Sequence, residues 1–256
     1  MTATKRLQPA CSPLACLAAV ILMVGALPAS ADAPGVPTYV AAAVADPARP
    51  DADRQRDAFR KPAGMMAFAG IKQGDTVIEL IPGRGYFTRI ISKSVGPSGR
   101  VFAAGIPDGV GDFKPAPTLA GDPNYPNVTA TTMDKLLSLP PADIVWTSQN
   151  YHDLHLPKLK MDVVAFDRQV FAALKPGGAF VVIDHAALPG TGLDVPDQLH
   201  RINEDIVKQE VESAGFKLEA ESDALRNPAD PRTAKVFDSS IRGHTDQFVL
   251  LFRKPG

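Results

Sequence analysis

The stretch Thr76 to Arg89, Thr-Val-Ile-Glu-Leu-Ile-Pro-Gly-Arg-Gly-Tyr-Phe-Thr-Arg, constrains the fold more than any other part of the chain. A β-branched run over 76–81 ends in Pro82-Gly83-Arg84-Gly85 and passes straight into an amphipathic segment, 86–95. In that segment Phe87, Ile90, Ile91 and Val95 share one stripe. The pattern is that of a buried strand, a tight glycine turn and a helix N-terminus. Such a turn makes a ligand site, because glycine lets the backbone approach a bound molecule and the first helical N–H groups point at whatever lies above the strand.

The rest of the chain repeats the alternation. Strands are predicted at 100–104, 128–131, 143–147, 179–183, 217–222 and 247–252. Helices are predicted at 63–69, 161–174 and 197–214, with a solvated helix within 51–60. Lys175-Pro176-Gly177-Gly178 carries the breaker residues that end a helix, and the Pro- and Gly-rich stretch 106–127 is a long loop that hints at a substrate-facing segment. Strands alternating with helices imply an α/β fold, a mainly parallel sheet with helices on both faces, in a single domain.

Ahead of this, Lys5 and Arg6 precede an apolar run, 14–27, and a small-residue site, Ala29-Ser30-Ala31. The run is too short to span a bilayer, so residues 1–31 read as a secretory signal peptide cleaved after Ala31 or Ala33. Residues 32–50, rich in Ala, Pro and Asp, read as a flexible, exposed lead-in, and 51–256 as the domain. The expected location is periplasmic or secreted. Both cysteines, Cys11 and Cys16, fall in the leader, which leaves the mature chain without disulfides, thiolate ligands or a cysteine nucleophile. Of 27 basic residues two are lost with the leader and none of the 28 acids is, giving a net charge of about −3. That balance offers no basic surplus for nucleic acid or anionic lipid, so the expected partner is a small molecule, with no nucleic acid and no membrane association after cleavage.

Two motifs carry a resemblance. Glu79-Leu80-Ile81-Pro82-Gly83-Arg84-Gly85 resembles the first motif of class I S-adenosylmethionine-dependent methyltransferases, an acid followed by Gly-x-Gly-x-Gly. Leu174-Lys175-Pro176-Gly177-Gly178 resembles that family's turn into strand five. The resemblance extends from about residue 54 to the end. Tyr-His-Asp-x-His, Asp-His-x-x-x-Pro-Gly-Thr-Gly and Arg-Asn-Pro-x-Asp-Pro-Arg look like a group of predicted exported bacterial methyltransferases. It implies a Rossmann-like seven-stranded sheet and S-adenosylmethionine as cofactor. Glu79 would then serve the methionine end, Pro82, Gly83, Arg84, Gly85 and Asn150 would line the cofactor, and Asp134 would stand where the family often has an acid for the adenine amino group. The sequence departs from the pattern twice: Ile81 replaces the first glycine, and Gly105 stands near the end of strand two, where an acid normally holds the ribose, with Asp108 three residues on.

At the predicted strand ends lie Asn150, Tyr151, His152, Asp153 and His155, then Asp184 and His185, with His200 opening the next helix. Ligands of open α/β sheets bind outside the carboxyl ends of the strands, so four of the five histidines are expected on one side. Imidazole suits deprotonation of an oxygen or nitrogen nucleophile near neutral pH. His152 is the candidate general base, and Tyr151, Asp184 and His185 complete the candidate catalytic set. Two other readings stay open. One is a lyase or hydrolase that uses the His/Asp cluster without the cofactor, with or without a metal, since the spacing matches no zinc signature. The other is a noncatalytic binder of small ligands.

Overall fold

The computed structural model describes residues 1–2, 35–107 and 119–256. The leader reading and Asp108 therefore lie outside the described residues. Strands β1 (Thr76–Leu80), β2 (Arg100–Gly105), β3 (Val128–Thr132), β4 (Ala142–Ser148), β5 (Leu174–His185), β6 (Lys217–Ser222) and β7 (Gln247–Arg253) form one sheet in the order β3-β2-β1-β4-β5-β7-β6. The first five are parallel, and β7 runs antiparallel to both β5 and β6. The chain moves outward from β1 to β3 and then returns to place β4 on the other side of β1. The crevice beyond β1 and β4 is thus the topological switch point, where ligands of such sheets bind.

Alternation along the strands sends side chains to two cores. One face carries Val77, Ile144, Trp146, Val181 and Ile183 under the helices α1 (Thr38–Val44), α4 (Pro62–Ala69) and α5 (Tyr86–Val95). The other carries Ile78, Leu80, Val145, Phe180 and Val182 under α6 (Val163–Ala173) and α8 (Glu204–Ser213). This is the doubly covered parallel sheet that near-continuous apolar strands require.

Four expectations need correction. Residues 38–44, expected in an exposed lead-in, form α1: alanine favours the helix, and Val40 and Ala43 are buried in the core shared with α5. The Tyr39 hydroxyl donates to the Ile71 carbonyl at 2.7 Å. The charged segment that follows is two short helices, α2 (Asp51–Arg54) and α3 (Asp57–Arg60), and it is less solvated than its composition suggests. Arg49 is 1 % exposed and grips Asp57 with both terminal nitrogens, at 2.9 and 2.6 Å, while the Tyr86 hydroxyl also donates to Asp57.

The helix expected over 197–214 is broken. A short α7 (Val195–Leu199) ends at His200, whose φ of 54° is left-handed, and α8 starts afresh at an Asn203 cap. Between them Ile202 bonds along the chain that leaves β5, its N–H donating to the His185 carbonyl and its carbonyl accepting from Ala187. Arg201 is fully buried there and pairs with Asp230 at 2.7 and 3.1 Å, so helix continuity gives way to a satisfied internal charge. The Lys175–Gly178 segment is not a free turn either. It belongs to β5, and Gly177 and Gly178 exchange backbone bonds with Lys254.

Candidate active site

The loop after β1 folds as the glycines require: Gly83 and Gly85 have φ of 56° and 79°, and Gly85 caps α5. A Cβ on Gly83 would meet nothing within 4 Å, so the turn lies open to the space above it. Ile81 also takes a left-handed φ, 48°, a conformation costly for a β-branched residue. Its N–H donates to the Ala104 carbonyl at 2.8 Å, and its own carbonyl accepts from the Asn150 side chain at 2.9 Å. Asn150, which also reaches the Ser148 carbonyl at 2.8 Å, thus braces the turn from β4.

Ile81, Pro82, Gly83, Arg84 and Tyr86 form one wall of a cavity of about 490 Å³. Asn150, His152, Asp153, His185 and His200 form another. A second cavity of about 350 Å³, lined by Ile106, Met133, Asp134 and Phe166, lies beyond the ends of β2 and β3. Open glycine backbone in the first, with the carboxylates of Asp134 and Asp162 beside apolar side chains in the second, is a donor set that fits S-adenosylmethionine. Gly105 ends β2 opposite Thr132 and offers no side chain. Glu79 does not reach either cavity. It points to the α5 face of the sheet, where it accepts the Thr88 hydroxyl, and burial pushes its carboxyl up to about 8 against that bond and the positive Arg60 and Arg89.

His152, 3 % exposed, sits on a 3₁₀ turn, His152–His155, just after β4. Its Nδ1 is 2.8 Å from Asp184 Oδ1, and its backbone N–H donates to Asp184 Oδ2 at 2.7 Å. Asp184 also accepts the His185 N–H at 2.7 Å, so this buried carboxylate stands behind the histidine and does not face the cavity. It is a positioning residue rather than one that meets substrate. Burial opposes a charge on His152, but Asp184 and then Asp153 outweigh it and raise the imidazole above its ordinary range. Nδ1–H toward Asp184 leaves Nε2 free, 3.4 Å from Asp153 Oδ1. His185 is the opposite case: burial first, then His152, Arg201 and Arg60, hold it well below the ordinary range, and its Nδ1 bonds the Thr245 hydroxyl at 2.7 Å.

Three histidines, not four, gather here. His152 lies 5.9 Å from His185 and 5.4 Å from His200, ring to ring. His155 turns away to Glu210 at 3.1 Å, and His244 packs on Phe59. Tyr151 also turns away from the cavity. Its buried hydroxyl donates to Asp167 at 2.6 Å and Glu210 at 3.2 Å, because neighbouring residues on the tight turn point in opposite directions. His152 Nε2, Asp153 Oδ1 and His200 Nδ1 fall within 4.8 Å of one another, close enough to share a metal ion.

The sequence reading missed Arg60. Its Nη2 donates to Gln149 Oε1 at 2.8 Å and Ser148 Oγ at 3.3 Å, and its guanidinium lies 4.4 Å over the Tyr86 ring. Nothing in Asp-Ala-Phe-Arg distinguishes it from a solvated helix charge.

No protein-family model and no curated sequence matches the chain. Solved structures do. An S-adenosylmethionine-dependent methyltransferase from Aquifex aeolicus is similar at 18 % identity, over 80 % of this chain and 98 % of that one, with a TM-score of 0.55. An S-adenosylmethionine-dependent methyltransferase from Mesorhizobium loti gives 17 %, 77 %, 99 % and 0.51. The [4+2]-cyclase SpnF gives 18 %, 80 %, 81 % and 0.53. The chain therefore has the Rossmann-like fold of class I methyltransferases, and at these identities the likeness is one of fold.

Proposed function

We propose that this protein is an exported methyltransferase-like enzyme that moves a methyl group from S-adenosylmethionine to a small-molecule acceptor. The observation that carries the reading is one shared cavity at the switch point: the Ile81–Arg84 turn forms one wall, and His152, held by Asp184, opens from the other. When bound, the cofactor supplies a methyl group on a cationic sulfur. Pro82, Gly83 and Arg84 would hold one end of it and Asp134 the other. Glu79 would act from beneath the turn, fixing it through Thr88.

The protein's own part is proton management and positioning. His152 takes the acceptor's proton at Nε2, and Asp184 fixes the tautomer and stabilises the imidazolium that forms. His185, kept neutral, offers Nε2 as an uncharged partner for the acceptor. Tyr86, Val236 and Phe237 line the same cavity and give it an apolar surface. The leader reading of residues 1–31 supports action outside the cytoplasm, and mass spectrometry of the secreted chain should find a new N-terminus after Ala31 or Ala33. Calorimetry with S-adenosylmethionine tests the central claim: no binding at millimolar cofactor would sink it.

A second reading is favoured by one observation. His152 Nε2 and His200 Nδ1 lie 3.4 and 3.7 Å from Asp153 Oδ1, spacings that suit ligands of one divalent ion, and the Asp184 bond to Nδ1 is the outer-shell partner such a histidine needs. On this reading the scaffold runs a metal-assisted lyase or hydrolase reaction without the cofactor; the cyclase SpnF shares the fold. Metal analysis separates the two, together with His200→Ala, which removes a ligand but leaves the His152–Asp184 pair.

A further inference from the structure

Of the thirteen arginines among the described residues, seven have a carboxylate partner. Three of the six without one, Arg56, Arg60 and Arg242, line a single cavity of about 470 Å³ that is continuous with the one over His152 and shares Arg56, Arg60, Gln149, His185, Val236 and Phe237 with it. Among the described residues no carboxylate lines this part of the cavity, and Asp153 is the one that lines the adjoining part, although the chain as a whole carries more acids than bases. Beside the neutral polar Gln149, His185 and Gln247, two flat apolar rings, Phe59 and Phe237, stand in its wall 46 % and 59 % exposed, unusual for rings of that size.

Arg60 is the inner cation. Its guanidinium stacks 4.4 Å over Tyr86 and 4.7 Å over Phe87, and its only hydrogen-bond acceptors are the neutral Ser148 and Gln149. Burial, and then the nearby Arg56, push it down to about 10, so it keeps its charge at neutral pH in a place that penalises charge. Glu79 and Asp53 act on it only from a distance, and among the described residues no carboxylate forms an ion pair with it, so a half-buried cation faces the cavity with room for an anion. Arg56 and Arg242 are exposed and keep their water.

We propose that this cavity takes the anionic end of the acceptor, a carboxylate on a flat apolar body resting against Phe59 and Phe237, with its nucleophilic group directed past His185 to His152. The inference rests on the methyl-transfer reading for the acceptor's role, while the anion site stands on its own geometry. One withdrawn guanidinium balances one negative charge, which favours a carboxylate over a phosphate dianion, and its planar fork suits a carboxylate's two oxygens.

The test is calorimetry or ligand-observed NMR on the purified protein with 4-hydroxybenzoate, its neutral counterpart 4-hydroxybenzamide, and inorganic phosphate. The acid should bind about tenfold or more tightly than the amide, the factor expected of a charge-assisted hydrogen bond. Arg60→Met should erase that preference and leave amide binding unchanged. Arg242→Gln, at an exposed position that does not threaten folding, should weaken the acid by about threefold or more, while saturating S-adenosylmethionine should leave acid binding intact. Equal or absent binding of acid and amide overturns the proposal. So does phosphate binding as tightly as the acid, or displacement of the acid by S-adenosylmethionine, which would give Arg60 to the cofactor. Failure of the cofactor to bind while the acid preference persists would instead overturn methyl transfer and leave the anion site standing.

Discussion

Asp184 holds His152 at two points, with Oδ1 2.8 Å from the ring Nδ1 and Oδ2 taking the backbone N–H at 2.7 Å. Ring and backbone are tied to one carboxylate that is itself fully buried, so the imidazole cannot turn without stranding a charge. This is the arrangement that makes a histidine a directed base, and it also makes its protonation legible in solution.

Asp184→Asn should move the His152 titration, followed by its ring-proton NMR signal, from above the ordinary histidine value to below it. The carboxylates now outweigh burial; without Asp184, burial prevails over the lone Asp153. Turnover should fall by about 10²- to 10⁴-fold, as for loss of a positioned base, mainly in kcat. An unmoved titration would reduce Asp184 to a structural cap.

Ile81→Gly should tighten S-adenosylmethionine binding by about tenfold while moving Tm by no more than about 3 °C. The left-handed φ of 48° costs an isoleucine roughly 1–3 kcal/mol that glycine does not pay. The half-buried side chain is lost in exchange, and it contributes about 1–2 kcal/mol of packing. The two terms nearly cancel in stability, leaving the wider approach to the turn as the net effect. Calorimetry and a thermal melt read the two halves separately, and weaker binding would show that Ile81 is part of the site.

What the sequence makes legible follows from how local each signal is. The helix 86–95 matches the structure to the residue, since both its ends are glycines and its apolar stripe is continuous. The sheet follows from strand periodicity and the two turn motifs. The break at His200 is not legible, because it depends on Arg201 finding Asp230, 29 residues away, and α1 is not because its partner surface is α5. In the site, adjacency misleads: Tyr151 and His152 are neighbours, yet one side chain serves the buried carboxylates and the other the cavity. Arg60 is not legible because its place depends on Ser148 and Gln149, 88 and 89 residues away.

Tyr151→Phe separates those two neighbours experimentally. Losing the hydroxyl leaves Asp167 Oδ2 without its 2.6 Å donor, beside an Oδ1 that already lacks a partner, in a group that burial holds up at about 8. Stability should fall by about 1–3 kcal/mol in urea titrations, the penalty for an unsatisfied buried polar group. Turnover measured well below the new Tm should change by less than about threefold, since the phenol does not face the cavity. A large loss in kcat at full folding would return Tyr151 to the chemistry.

Glu79→Gln should flatten the dependence of stability on pH. The folded chain keeps a proton on Glu79 up to about 8, whereas the unfolded chain loses it near the ordinary 4.5. Between those values the native state binds more protons than the unfolded one, so stability falls as pH rises, by at most about 1.4 kcal/mol per pH unit for each such group. Asp167, also pushed up to about 8, contributes a second share over a similar window. Glutamine keeps an acceptor for the Thr88 hydroxyl and has no proton to lose, so the variant should gain on the wild type from pH 5 toward pH 8 and retain the slope that Asp167 and the shifted His152 and His185 contribute. Urea unfolding at pH 5, 6, 7 and 8 measures the difference. A constant gap between the two proteins across that range would mean that Glu79 stays ionised beneath the glycine turn, paired with Arg60 and Arg89.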